Sequence, residues 1–122
     1  MPKFASNEVL DGSLAVASSA TRLVAMNGQP ASFAAANAGK LAEATLTGID
    51  FAIAAGDVSG RKLTVAAKTG LAVIAPGTAD HVALLDITGS RLLYVTTCPA
   101  QALVSGGTVS IAAWSIEVGA PV

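Results

Sequence analysis

The residues best suited to acid–base chemistry stand together in GTADHVALLD, Gly77 to Asp86, where the chain's single histidine, His81, lies between Asp80 and Asp86. An imidazole oriented by a carboxylate makes a general base when the two are within hydrogen-bond reach. This stretch reads as extended, because Val82, Leu84 and Leu85 are strand formers flanked by Gly77 and Gly89. Along a strand Asp80, Val82, Leu84 and Asp86 share one face, while His81, Ala83 and Leu85 share the other. His81 is therefore expected to point away from both aspartates unless the strand twists or bulges. The expected role of His81 is that of a packed or surface residue with its ring nitrogens satisfied, and no catalytic residue is assigned.

Metal and phosphate chemistry find less support still. A structural zinc site takes about four ligands from Cys, His or carboxylate, and the chain offers one cysteine and one histidine. Cys98, just before Pro99, reads as a small apolar residue at a strand end. A lone cysteine makes no intrachain disulfide, which fits a reducing compartment or assembly there. Asp50 and Asp57 bracket a stretch with oxygen ligands for calcium, but their spacing is not that of an EF-hand, and solvated turn aspartates are the expected outcome. GDVSGRK lacks the Walker spacing. It reads as a polar turn feeding the strand around Leu63, with Arg61 and Lys62 available to an acidic partner surface. Tyr94 and Trp114 would stack on sugar rings if exposed; their neighbours Leu92, Leu93, Ile111 and Ile116 argue instead for core positions. No cofactor and no metal are expected.

The elements that must position these groups can be read from periodicity. Ser6 is a candidate N-cap, Glu8 falls in the first turn where the helix dipole favours an anion, and Leu10, Leu14 and Ala17 share a face. A short helix is expected from Asn7 to about Ser19, weakened at Gly12. TRLVAM reads as a strand, and ASFAAANAG as one or two helical turns between Ser32 and Gly39, or a loop. From Leu41 the period becomes two. In LAEATLT, Ala42, Ala44 and Leu46 share one face; in KLTVAAK, Leu63, Val65 and Ala67 are expected inward, with Lys62, Thr64, Ala66 and Lys68 outward. FAI, LAVIA, VALLDI, RLLYVTT and TVSIAAWSIEV complete the set, and the last shows a phase change that suggests a bulge near Ala112 and Ala113 or burial on both faces. Glycine-bearing turns recur between them, with Gly89 expected to take the positive φ of the tightest reversal. The expected fold is mainly β: one antiparallel sandwich or barrel of seven to eight short strands, residues 1–122 forming one domain with a short N-terminal helix.

Composition narrows the function classes. At 122 residues the chain is long enough for a single core. Hydrophobic residues make up 52% and charged residues only 12%. Much of the surface must therefore be Ala, Gly, Ser and Thr, which suits contact with another protein. The net charge is −1, and the seven basic residues are scattered, so no phosphate-binding stripe forms and nucleic-acid binding is not expected. Leu92 to Ile116 carries no charge, yet Pro99, Gly106, Gly107 and several hydroxyl residues make it two strands and a turn, not a membrane span. Glu8 and Asp11 interrupt any signal-peptide apolar segment, so no secretion signal is expected.

SNEVLDGSL, GDVSGRKLTVAAKTG, GTADHVALLD, RLLYVTTC and SGGTVSIAAWSIEVGAP, which together cover nearly the whole chain, resemble a family of small, mostly uncharacterised virion proteins of tailed bacteriophages. These motifs are strand and turn signatures and carry over no catalytic residues. The resemblance implies a non-enzymatic structural protein of the virion, assembled in the host cytoplasm, with a capsid decoration (cement) protein as the leading expectation. Its implied partners are the major capsid protein or other virion proteins, and a homo-oligomer, with a trimer favoured at local threefold positions. The alternative is a tail, collar or fibre component that binds a host-surface glycan through exposed Trp114 or Tyr94.

Overall fold

The computed structural model describes residues 4–119. In chain order the elements are α1 (Asn7–Ala17), β1 (Arg22–Met26), α2 (Phe33–Gly39), β2 (Lys40–Thr45), a 3-10 turn (Gly48–Asp50), β3 (Phe51–Ala55), β4 (Arg61–Val65), β5 (Lys68–Ala72), β6 (Gly77–Asp86), β7 (Arg91–Leu103), β8 (Thr108–Ile111) and β9 (Trp114–Val118). All strand pairs are antiparallel, in three open sheets ordered β2-β1-β6-β7, β3-β4-β9 and β5-β8. The molecule is thus mainly β with an N-terminal helix, as the periodicity predicts. The nine strands among the described residues exceed the seven to eight expected, because TVSIAAWSIEV is cut in two.

Helix α1 begins where Ser6 Oγ accepts the Val9 N–H at 3.3 Å, and it buries Leu10 and Leu14. It ends at Ala17, two residues short of the expected Ser19, as the Ser18 and Ser19 hydroxyls donate back to the carbonyls of Ala15 and Val16. Such local bonds compete with helix continuation. Helix α2 forms in the stretch whose sequence fits either helical turns or a loop, with Ser32 Oγ accepting the Ala35 N–H at 3.1 Å.

The centre of the four-stranded sheet, β1 and the second half of β6, is buried on both faces, which is why β1 reads as an unbroken apolar run. On one face Leu23, Ala44, Val82 and Leu84 meet Leu14 from α1 and Leu63 and Ile116 from the β3-β4-β9 sheet, forming the main core. Ala25, Ala42 and Ala79 continue that face over Val73 and Leu103. On the opposite face Val24, Met26, Ala83 and Leu85 pack with Ala36 and Phe33 of α2.

Two expected strands break where the chain changes sheets. In KLTVAAK, Leu63 and Val65 are buried as predicted, but β4 stops at Val65 and Ala67 is exposed, because Lys68 already opens β5 in another sheet. In TVSIAAWSIEV, Ala112 and Ala113 separate β8 from β9 instead of bulging within one strand. Each sheet switch resets the inward face, so the apolar phase follows the partner sheet and not the local alternation.

Turn geometry corrects one further expectation. The positive φ of the β6–β7 reversal falls on Ser90, at 53°, and not on Gly89. A Cβ on Gly89 would lie 2.8 Å from Asp86 Oδ2, so a side chain there would displace the carboxylate that Arg91 holds. Gly56 is similarly constrained in the β3–β4 turn, where a Cβ would meet the Ser59 carbonyl at 2.1 Å.

Candidate functional site

His81 does contact a carboxylate. Its Nδ1 lies 2.7 Å from Asp80 Oδ1, and both side chains are partly exposed. The prediction that His81 turns from both aspartates fails for Asp80, because β6 and β7 slip out of register there. Ala79 pairs with Gln101 and His81 with Thr97, so Asp80 alone stands opposite Cys98, Pro99 and Ala100. Pro99 lacks the N–H that a continuous ladder requires. Through this irregularity Ala79 and Val82, three residues apart, both reach the same buried layer, and Asp80 and His81 turn out together.

Asp80 Oδ1 also accepts the Gly28 N–H at 2.8 Å, and Asn27 Nδ2 donates to the Thr78 carbonyl at 2.9 Å. The His81 contact, followed by the Gly28 N–H, holds the Asp80 carboxyl below the usual carboxylate range. Asp80 thus tethers the turn after β1. Cys98 packs with the main core, on the face where Val82 lies, whereas His81 pairs with Met26 on the α2 side. Burial, followed by the Asp80 charge, pushes the Cys98 thiol up, away from the reactive thiolate. The three groups therefore do not make an activated nucleophile with its base.

Asp86 is five residues further along β6, about 16 Å from His81 at strand rise. It is a separate cluster. Arg91 Nε and Nη2 reach Asp86 Oδ2 at 3.1 and 2.9 Å, the Gly89 N–H adds a third bond, and Arg91 also donates to Ser19 Oγ. Arg91, then the Gly89 N–H, lowers the Asp86 carboxyl. Asp50 and Asp57, the two carboxylates with the oxygen chemistry for calcium, each hold a lysine: Lys68 at 2.8 Å and Lys62 at 2.6 Å. Lys68 and the Thr47 N–H lower the Asp50 carboxyl. Arg61 of the GDVSGRK turn is occupied by Asp11 of α1 at 2.8 Å. Among the described residues no three His, Cys, Asp or Glu side chains converge as a metal site.

A concave feature lies elsewhere. A cavity of about 680 Å³ opens between the C-terminal half of β7 and the β8–β9 segment, bounded by Val82, Thr96, Cys98, Val109, Ser110 and Trp114 among others, with no charged residue in its lining. Among the described residues β7 pairs only with β6 and β8 only with β5, so each of these two lining strands keeps one unpaired edge. Trp114 packs on Tyr94, ring centroids 6.0 Å apart and planes inclined by 27°. Trp114 is half-buried against the core while Tyr94 is exposed, so core and surface roles divide between them. The indole Nε1 is shut off from solvent and has no hydrogen-bond partner among the described residues. Alternation along β7 does not reveal this cavity; the signal is Pro99 inside an otherwise good strand.

Exposed apolar side chains stand on α1, at Val9 and Val16, and at several sheet margins. Ile49 and Val58 stand before and after β3, at 93% and 90% exposure. Ile74 follows β5 and Val104 follows β7, both exposed. No helix among the described residues is long and apolar enough to cross a membrane. Comparisons of the chain with protein-family models, with curated proteins and with solved structures gave no match.

Proposed function

We propose that the protein works by adhesion, as a non-enzymatic structural component of a tailed-bacteriophage virion, a decoration protein that binds the capsid and stabilises the head. The observation that carries the adhesive reading is the pairing of open strand edges with exposed apolar neighbours: Ile49 and Val58 beside β3, Ile74 beside β5, Val104 beside β7. Such margins offer a partner apolar area, and the uninterrupted β3 edge offers backbone hydrogen bonds as well. The phage head enters through the sequence resemblance. There the protein bridges neighbouring subunits and, by binding only the assembled lattice, stabilises it by about 2.7 kcal/mol per site when its free concentration is about 100 times Kd. Trimers on local threefold axes fit that role.

The test is the particle itself. In a reconstruction of the source phage the chain is expected on the head, in numbers comparable to the capsid subunit, and particles stripped of it are expected to come apart at lower temperature. Absence from purified particles, or a few copies confined to the tail, overturns the proposal.

The cavity favours one second reading, a tail or fibre module that takes a neutral sugar. A lining of hydroxyls, apolar side chains and a half-buried indole, free of charge, matches the two-faced character of a sugar ring. Saturable change in Trp114 fluorescence on titration with host-surface oligosaccharides would favour this reading, and unchanged emission would dismiss it.

A further inference from the structure

We infer that β3 is a self-pairing edge, through which two copies of this chain join antiparallel about a twofold axis into a continuous six-stranded sheet, β9-β4-β3-β3-β4-β9. The inference rests on edge geometry and holds whether or not the protein decorates a phage head.

Open strand edges usually carry devices that stop them pairing: charge, proline, bulges or short length. Five of the six edges here do. β2 carries Lys40 and Glu43 and is already bridged to Val73. β5 carries Lys68 and a register shift; β7 carries Pro99 and two slips. β8 is four residues long, and β9 carries Glu117. β3, Phe-Ala-Ile-Ala-Ala, has none: no charge, no proline, an unbroken ladder with β4, and four of its five residues exposed.

The ladder fixes which groups face outward. Gly56 N–H bonds to the Gly60 carbonyl and Ala66 N–H to the Asp50 carbonyl. Antiparallel alternation then assigns Ala52 and Ala54 to the β4 ladder and leaves the N–H and C=O of Phe51, Ile53 and Ala55 directed at the open side. Those three residues can all be paired with a second β3 in one register, centred on Ile53. Ile53 then opposes Ile53 of the other copy, and Phe51 opposes Ala55, large against small. Side chains at 51, 53 and 55 share the face of Leu63 and Val65, so the pairing extends the buried layer over Ile53, which is exposed at its margin. The acidic groups at the strand ends are engaged within their own copy, Asp50 and Asp57 by Lys68 and Lys62, and Glu117 by the Asp57 N–H. The contact is twofold, so a trimer would need a different surface.

A short strand-to-strand interface belongs with small, exchanging ones, under about 1,200 Å². Sedimentation velocity on the full chain is therefore expected to show monomer at low concentration and dimer as concentration rises. Ile53→Lys and Ile53→Glu each place like charges directly opposite and should remain monomeric, with circular dichroism and melting of the monomer reporting intact folding. Mixing the two variants should restore dimer. In a Cys98→Ala background, Ile53→Cys should form an intermolecular disulfide on mild oxidation, since paired Cα atoms lie about 5.5 Å apart. Ala55→Cys, offset by four residues from its own copy, should not. Dimerisation of the single charge variants, no rescue on mixing, or equal cross-linking at 53 and 55 would each overturn the inference.

Discussion

Asp80 and Asp86 lie on the same strand, and each is kept ionised by a different cation or donor. Glu43 behaves alike, lowered first by Lys40 and also by Arg22, at 2.7 and 3.0 Å. With Asp50 these carboxyls all titrate in the folded chain below their ordinary values of 3.8 for Asp and 4.5 for Glu. The unfolded chain therefore binds protons more readily, and the stabilisation is complete above the ordinary values and lost as pH falls through the folded ones. The urea midpoint is expected to drop as pH is lowered from about 5 to about 3. Asp86→Asn should lower the midpoint at neutral pH and flatten this acid dependence; an unchanged slope would remove Asp86 from the set. Cys98 shifts in the other direction, because burial disfavours its thiolate. Its alkylation by iodoacetamide at about pH 8 should be about tenfold slower in the native protein than in urea, and equal rates would contradict the packing seen here.

Elements follow their local chemistry closely where a cap or an unbroken alternation defines them. Ser6 and Ser32 each accept a backbone N–H at the start of a helix. Ser6→Ala should cost about 1 kcal/mol in denaturant unfolding, typical of a lost N-cap. A cost near zero would mean that α1 is held by Leu10 and Leu14 alone. Strands are less self-sufficient. The 13-residue β7 begins as the expected RLLYVTT but runs on through Pro99 to Leu103, because the slip opposite Asp80 absorbs the residue that cannot donate. The same slip makes the Asp80–His81 contact, which alternation alone excludes. A bulge depends on what the neighbouring strand presents, so a single strand's pattern carries only hints of it, here the proline.

In the whole molecule, the main core joins α1 and two of the three sheets through Leu14, Leu23, Leu63, Leu84 and Ile116. Leu63 is fully buried at that junction. Leu63→Ala is expected to cost about 2–5 kcal/mol. Trp114 fluorescence and far-UV circular dichroism should report coincident unfolding in both proteins. Separate transitions would mean that the sheets are independent units. The amino-acid sequence by itself determined the mainly β class, the N-terminal helix, the inward faces of β2 and β4 and the scarcity of reactive groups. Side-chain period, cap chemistry and composition are local, and each can be read within a few residues. Only the tertiary structure decided that the chain changes sheets after Val65 and at Ala112–Ala113, that Asp80 meets His81, and that β7 and β8 part to leave a cavity. Those outcomes depend on which distant strands share hydrogen bonds, and alternation specifies a strand's two faces without specifying its neighbours.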